Sequence, residues 1–290
     1  MSDVGDDSMA STEPQKVLVT GGCGYIGRHV VSGLLEEGYK VIVNDLNIAP
    51  ENPLAEYSRI DIFGSQEGIY DRLGCPDACI HLAWRNGFTH NNPSHIHDLS
   101  GHFRFIESML SQGLRNLSVL GTMHEIGYWV GEIDEKTPAD PLSFYGIAKN
   151  TLRQATKLLA AQYDVPLKWL RAYYITGDDI RNHSIFTKIL EFEAEGKKVF
   201  PFNSGKNKYD FIDVDLLAKM IVKATMQKNI TGEINCCSGI PTALSDKVDS
   251  FISEHHLQIR PEYGKFPDRP YDSPAVWGNS DKIKGIMEHD

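Results

Sequence analysis

A tyrosine and a lysine four positions apart, Tyr145 and Lys149, are the pair in this chain best suited to moving a proton. A phenol titrates near pH 10 in water, too high for acid–base work at neutrality until a nearby cation stabilises its anion. Positions four apart share one face of a helix, which would set the Lys149 ammonium one turn from the Tyr145 phenol. Apolar residues at Ala148, Leu152, Ala155, Leu158 and Leu159 recur at helical spacing and predict a helix over residues 143–163. The turn-rich stretch Thr137-Pro138-Ala139-Asp140-Pro141 precedes it.

A proton-transfer pair needs a reactant held beside it, and the segment from Lys16 to Leu46 reads as a holder for a dinucleotide. Val17, Leu18 and Val19 form an apolar run ended by Thr20, followed by Gly21, Gly22, Gly24 and Gly27. Backbone must come close to a pyrophosphate there, and side chains would block the approach. The helix expected to begin near Tyr25 aims its first free N–H groups, those of Tyr25, Ile26 and Gly27, and its positive dipole end at the same phosphates. The strand Lys40 to Asp45 ends in a carboxylate placed to accept the adenosine ribose hydroxyls, which favours NAD(H) over NADP(H). Arg28, just after the last glycine, is placed either to receive a 2′-phosphate or to stand as a solvated helix residue.

Together the two segments resemble the extended short-chain dehydrogenase/reductase family, in its nucleotide-sugar branch of epimerases, dehydratases and 4-ketoreductases. The resemblance runs from about Lys16 to the C-terminal end, and the turn T-G-G-C-G-Y-I-G from Thr20 is similar to the family's T-G-G-x-G-Y-I-G. It implies that Asp61, in S-R-I-D-I-F, contacts adenine. It also implies that His81-Leu82-Ala83-Trp84, similar to the family's (N/H)-L-A-A strand end, brings Leu82 and Ala83 to the dinucleotide. The strand Leu117 to Leu120 runs into Gly121-Thr122-Met123-His124-Glu125, where family members carry a Ser or Thr catalytic hydroxyl. The implied catalytic triad is Thr122, Tyr145 and Lys149.

Sugar-nucleotide 4,6-dehydratases follow that hydroxyl with an Asp-Glu pair, because elimination of water needs an acid and a base besides the hydride acceptor. Met123 and His124 stand there in this chain, and a thioether transfers no proton, so dehydration is disfavoured; Glu125 comes one position later. The segment G-T-M-H-E-I-G-Y-W is similar to reductases of 4-keto-6-deoxy nucleotide sugars. The resemblance therefore implies NAD(P)H-dependent reduction of the C4 ketone of a substrate such as dTDP-4-keto-6-deoxyglucose. A 4-epimerase with bound NAD uses the same triad, and a non-catalytic dinucleotide-binding protein would keep the fold without turnover.

Further along, Tyr209-Asp210-Phe211-Ile212-Asp213-Val214 is similar to the family's R-D-F-I-x-V, with Tyr209 where an Arg contacts the substrate diphosphate. Tyr174 stands where epimerases use an Asn near the phosphates. Lys208, and Arg269 in a segment similar to R-P-x-D, are the implied diphosphate contacts. His124, beside the implied hydroxyl, is placed to touch the sugar or to orient its loop.

Composition sets the frame for these residues. In 290 residues, short apolar strands alternate with helices, predicting an α/β doubly wound parallel sheet of Rossmann type with a smaller C-terminal substrate lobe. Strands are expected near 16–20, 40–45, 58–62, 78–82, 116–121 and 167–173. The dinucleotide domain would run over 16–176 and take back a helix at 213–227 and a strand at 233–237. The lobe would run from residue 177, with 240–290 closing over the substrate. A net charge of −10 argues against a nucleic-acid surface. No apolar stretch reaches membrane-spanning length. Five cysteines, Cys23, Cys75, Cys79, Cys236 and Cys237, lack paired-ligand spacing and read as reduced cytoplasmic thiols. His90, His95, His97 and His102 show no metal-ligand interval. Residues 93–112 read instead as a helix that, in the resembled family, packs with the Tyr145 helix across a homodimer. Residues 1–15 are polar and predict a disordered leader.

Overall fold

The β-branched and apolar runs of the first half build one parallel sheet. The computed structural model describes residues 14–177, 184–268 and 272–288; most of the expected leader, and Arg269, lie outside them. The first strands are β1 (Lys16–Thr20), β2 (Lys40–Asn44), β3 (Glu56–Ser58), β4 (Ala78–His81) and β5 (Leu117–Thr122). Between them run α1 (Gly27–Glu36), α2 (Ile69–Arg72), α3 (Ser94–His97) and α4 (Leu99–Gln112). There follow β6 (Gly131–Ile133), α5 (Phe144–Gln162), β7 (Leu167–Ala172), β8 (Tyr174–Thr176), α6 (Ile185–Ala194) and β9 (Val199–Pro201). The chain then adds β10 (Lys208–Asp213), α7 (Val214–Met226), β11 (Gly232–Cys236) and β12 (Pro241–Ala243). It ends with α8 (Leu244–Glu254), β13 (Arg260–Glu262), β14 (Ala275–Gly278) and α9 (Asp281–Glu288).

Seven strands pair in the order β11-β7-β5-β4-β1-β2-β3, all parallel. The chain leaves β1 in one direction toward β3 and returns on its other side at β4. The C-terminal ends of β1 and β4 therefore flank a crevice, the switch point at which such sheets bind ligands. Strands buried on both faces need helices on both, and the apolar stripes supply them. In α1 the buried positions are Gly27, Val30, Val31 and Leu34, one face of a helix. That face packs with α7 and α9 on one side of the sheet, through Leu217, Ile221, Ile283 and Ile286. On the other side Phe105, Ile106 and Met109 of α4 meet Leu152 and Leu159 of α5 over Trp169.

A smaller sheet, β12-β10-β14-β6 with β8 paired to β10, carries its own apolar cluster around Met123, Ile133, Tyr209 and Val276. A second cluster, with Phe186, Phe200, Phe202 and Phe251, packs α6 and α8 on the β9–β13 pair.

Four expectations shift. The strand expected at 58–62 lies at Glu56–Ser58, because the Asn44 side chain replaces the ladder: Ile60 N donates to Asn44 Oδ1 at 3.0 Å and Asn44 Nδ2 donates to Ile60 O at 3.1 Å. The helix expected over 93–112 divides at Asp98, whose carboxylate is held by both Arg85 Nε and Nη2. The smaller sheet takes β6 and β8 from chain preceding residue 177. Residues 281–288, within the segment expected to close over the substrate, form α9, whose apolar face at Ile283 and Ile286 seats against α7 and β11. No helix among the described residues is long and apolar enough to cross a membrane.

Candidate active site

The glycine turn packs backbone on backbone. Gly21 has φ +70°, and a Cβ there would lie 2.7 Å from Ala83 Cα. A Cβ on Gly27 would lie 2.2 Å from Gly21 O, so α1 can start against the turn only with glycine at that position. Gly24, also in the turn, is exposed. Ile26 occupies the N-cap of α1, and Tyr25 reaches from the turn to donate its hydroxyl to Gly177 O at 2.5 Å. Asp45 leans back over the turn, its Oδ2 accepting from Cys23 N at 3.2 Å. Leu82 N donates to Thr20 O at 3.1 Å and Ala83 N to Thr20 Oγ1 at 3.4 Å, which ties the end of β4 to the turn. Asp61 is exposed, with Oδ1 accepting from Phe63 N at 2.9 Å. A bare-backbone cradle with a carboxylate at its rim fits a dinucleotide. Arg28 points from the turn toward His29, at 3.1 Å, and lines a cavity of about 190 Å³ with Cys23, Glu51 and Tyr57.

Across the crevice stand the groups expected to transfer the proton. Ser143 caps α5 by accepting from Gly146 N at 3.1 Å, and the first turns of the helix present Tyr145 and Lys149. Thr122 ends β5 and caps the short 3₁₀ turn Met123–Glu125 in a capping box, with Thr122 N donating to Glu125 Oε1 at 2.7 Å and His124 N donating to Thr122 Oγ1 at 3.3 Å. The Thr122 hydroxyl stands beside the Tyr145 phenol and acts to lower its pKa. Lys149 Nζ donates to Leu120 O at 2.7 Å and lies 3.9 Å from the centroid of the Trp84 ring. Burial raises the Tyr145 phenol above its usual range; the Thr122 hydroxyl pulls it back and the Glu125 charge adds to the rise. Burial pushes the Lys149 ammonium down to about 7, with Glu125 opposing. Gly146 lets these parts meet, since a Cβ there would stand 2.3 Å from His124 O.

Glu125 is fully buried and turned away from the crevice. Its carboxylate accepts from Trp169 Nε1 at 2.9 Å and faces Arg153 Nε at 3.4 Å and Arg171 Nη2 at 3.6 Å. A carboxylate so engaged holds the turn beneath Thr122 rather than serving as an acid or base at the site.

A row of rings runs out from Tyr145. Tyr145 stacks on His90 at 5.1 Å, His90 meets His124 edge-on at 4.3 Å, and His124 faces Tyr174 at 6.3 Å. Tyr174 packs on Tyr209 at 4.4 Å. Burial, with His90 beside it, lowers His124 to about 3, so its imidazole is neutral at physiological pH. Lys208 is exposed at the start of β10, and strand alternation puts it on the face opposite Tyr209. Asp210 is buried, bonding Ser238 N at 2.8 Å and Gly239 N at 2.9 Å, so it closes a loop. The structure thus gathers Thr122, Tyr145, Lys149, His124 and Tyr174, and leaves Lys208 apart. Trp84, His90 and Gly146 belong to the same cluster, unforeseen from the sequence; the signal for Trp84 was a bulky ring at a position where the resembled strand end carries alanine. Among the described residues no group of three or more His, Cys, Asp or Glu is arranged to hold a metal ion.

A model of the NAD dependent epimerase/dehydratase family matches residues 17–237. The dTDP-6-deoxy-L-talose 4-dehydrogenase (NAD(+)) of Aggregatibacter actinomycetemcomitans is 48% identical over 269 residues, covering 90% of this chain and 98% of that protein. The crystal structure of UDP-glucose 4-epimerase from Thermotoga maritima with UDP-glucose has a TM-score of 0.80 at 24% identity, covering 93% of this chain and 92% of that one. The UDP-glucose 4-epimerase of Thermus thermophilus in complex with NAD has a TM-score of 0.77 at 21% identity, covering 94% of this chain and 93% of that one. With the family model spanning both the glycine turn and the Tyr145–Lys149 helix, and a relative matched along nearly its whole length, this chain belongs to the NAD dependent epimerase/dehydratase family, as an oxidoreductase acting on a CH–OH/C=O pair.

Proposed function

We propose that this enzyme reduces the C4 ketone of a 6-deoxy-4-ketohexose carried on thymidine diphosphate, with NADH as reductant. One observation carries the reading: Tyr145 lies beside Thr122 and shares the Trp84 ring with Lys149, while the adjacent carboxylate, Glu125, is locked in the core. Hydride transfer with one proton needs no second acid, whereas elimination of water does. The relative at 48% identity, by its name a dehydrogenase of the C4 position of a dTDP-6-deoxyhexose, supports the sugar class.

The dinucleotide, held by Gly21, Gly24, Gly27 and the N–H groups of Tyr25 and Ile26, supplies the hydride. Asp45 accepts the adenosine ribose hydroxyls, a role a 2′-phosphate would contest, which supports NAD(H) over NADP(H). Asp61, Leu82 and Ala83 border the adenine and nicotinamide ends. Thr122 donates its hydroxyl to the ketone oxygen, and Tyr145 gives its proton to that oxygen as negative charge develops there. Lys149 holds the nicotinamide ribose and stabilises the phenolate left behind. His124 and Tyr174 present neutral polar tips to the sugar, and Arg269 serves the diphosphate, Lys208 standing on the far face of its strand. A homodimer through α4 and α5, in the cytoplasm, is the setting this reading carries.

The test is oxidation of NADH and of NADPH by the purified protein with dTDP-4-keto-6-deoxyglucose and its 4-keto epimers, followed by identification of the product sugar. Turnover with NADH preferred is the expected result. Stoichiometric NAD in the preparation, with interconversion of two sugars and no added coenzyme, would replace the reading by a 4-epimerase.

A further inference from the structure

Trp84 lies just beyond β4 and is gripped from several sides. Its ring lies flat on His102, with centroids 4.3 Å apart and planes 11° apart, and nearly parallel to His95 at 6.1 Å. Trp84 Nε1 donates to His95 Nδ1 at 3.0 Å. An indole nitrogen is only a donor, so His95 Nδ1 accepts, and His95 Nε2 carries the hydrogen that goes to Thr89 O at 3.1 Å. His102 is itself fixed by His81 at 2.9 Å, and His81 by Thr20 Oγ1 at 2.7 Å. Five aligned groups therefore hold this ring in one orientation.

What the ring presents is its face, to Lys149. Nζ stands 3.9 Å from the indole centroid, inside the range in which an ammonium is attracted by the ring's negative face. An ammonium has three N–H bonds; the Leu120 carbonyl takes one and the indole face meets another, which sets the direction of the third. Tyr145 turns its ring edge-on to the same indole at 6.1 Å. The titratable groups facing Lys149 are Tyr145 on its own helix, Glu125 below, and His81 and His102 behind Trp84. Burial keeps both histidines neutral, so the wall behind the indole carries no positive charge to repel the lysine.

We propose that Trp84 is a positioning residue that seats the Lys149 ammonium and favours its charged form, so that Lys149 can serve Tyr145. This rests on Lys149 acting as the cation beside the phenol, and not on which sugar is reduced. An alanine at this position would leave that flank of the lysine open.

The test is NMR of the protein labelled with 13Cε-lysine, without coenzyme or substrate, the Lys149 signal being assigned by its loss in Lys149→Met. In the native chain the Lys149 ε-methylene protons are expected upfield of the other lysines, through the indole ring current. Trp84→Phe keeps an aromatic face and is expected to hold the Lys149 titration midpoint within a few tenths of a pH unit. Trp84→Leu keeps apolar volume without the face and is expected to lower it by about half a pH unit or more. In turnover, Trp84→Leu is expected to cut kcat roughly tenfold with little change in the KM for the sugar, and Trp84→Phe to restore most of it. An unshifted Lys149 methylene in the native chain overturns the proposal, even where the leucine variant does not fold. So does an unchanged midpoint in that variant. Because the NMR needs neither coenzyme nor sugar, failure of the assigned reaction would leave its outcome standing.

Discussion

Tyr145 can give up a proton at neutral pH only if its anion is stabilised, and its surroundings act in both directions. Burial and Glu125 raise the phenol, while the Thr122 hydroxyl lowers it. Lys149, brought down to about 7, is poised to be charged or neutral near physiological pH. Removing the phenol oxygen in Tyr145→Phe is expected to lower kcat by about 10²–10⁴-fold with the NADH dissociation constant within roughly twofold, read by stopped-flow turnover and fluorescence titration. Glu125→Gln is the contrasting case. Its carboxylate meets Trp169, Arg153 and Arg171, so losing the charge is expected to cost about 1–3 kcal/mol of stability in urea unfolding, with turnover per folded molecule within a fewfold. The opposite ranking would place Glu125 in the chemistry. The shared helix of Tyr145 and Lys149 was legible from helical spacing, while the roles proposed for them came with the family resemblance. That Glu125 faces inward was not legible, since its partners lie on α5 and β7.

At the scale of elements, the β1–turn–α1 unit is the most tightly determined part of the molecule. The Gly27 position faces the Gly21 carbonyl with no room for a methyl group, so Gly27→Ala is expected to destabilise by about 1–3 kcal/mol or more and to weaken NADH binding at least tenfold. Gly33, one helix face away, is the control. A Cβ there first meets Val222 Cγ2 at 3.5 Å, an ordinary contact, and Gly33→Ala is expected to be neutral or stabilising by about 0.5–1 kcal/mol. Thermal melts and isothermal titration of both variants check the pair; equal effects would reject the steric account. The turn could be foreseen because glycine spacing encodes a local backbone path. The division of 93–112 at Asp98 could not, because Arg85, from the loop after β4, holds that carboxylate.

For the whole molecule, the buried histidines couple stability to pH. His81, lowered by burial and Lys149 to about 3, and His102, also lowered, are neutral in the folded protein. In the unfolded chain both bind protons below about pH 6.5. Their contribution is therefore fully present above that value and is lost as pH falls toward the folded values. From pH 7 to pH 5, His81 alone is expected to remove about 2 kcal/mol of stability, with His102 adding to it. Urea unfolding at the two pH values measures this, and coincident midpoints would show that the pair is not buried and neutral. Below that range Glu233 joins in: although burial raises its carboxyl, Lys157 and Arg153 hold it below its usual range, and their support is lost as it protonates.

The chain's own spacing was enough to determine the alternating strand and helix order, the glycine cradle, the acid at the end of the second strand and the Tyr145–Lys149 helix face. Each of these is written within a few turns of backbone, where propensity and periodicity act directly. Only the tertiary structure decided what surrounds them. Trp84 under Lys149, Gly146 against the His124 carbonyl, the ring wall from His90 to Tyr209, and α9 on the outer face of the first sheet all join residues far apart in the sequence. Such contacts depend on the order in which strands pair and on which volume each face leaves open, and no local pattern of residues carries that information.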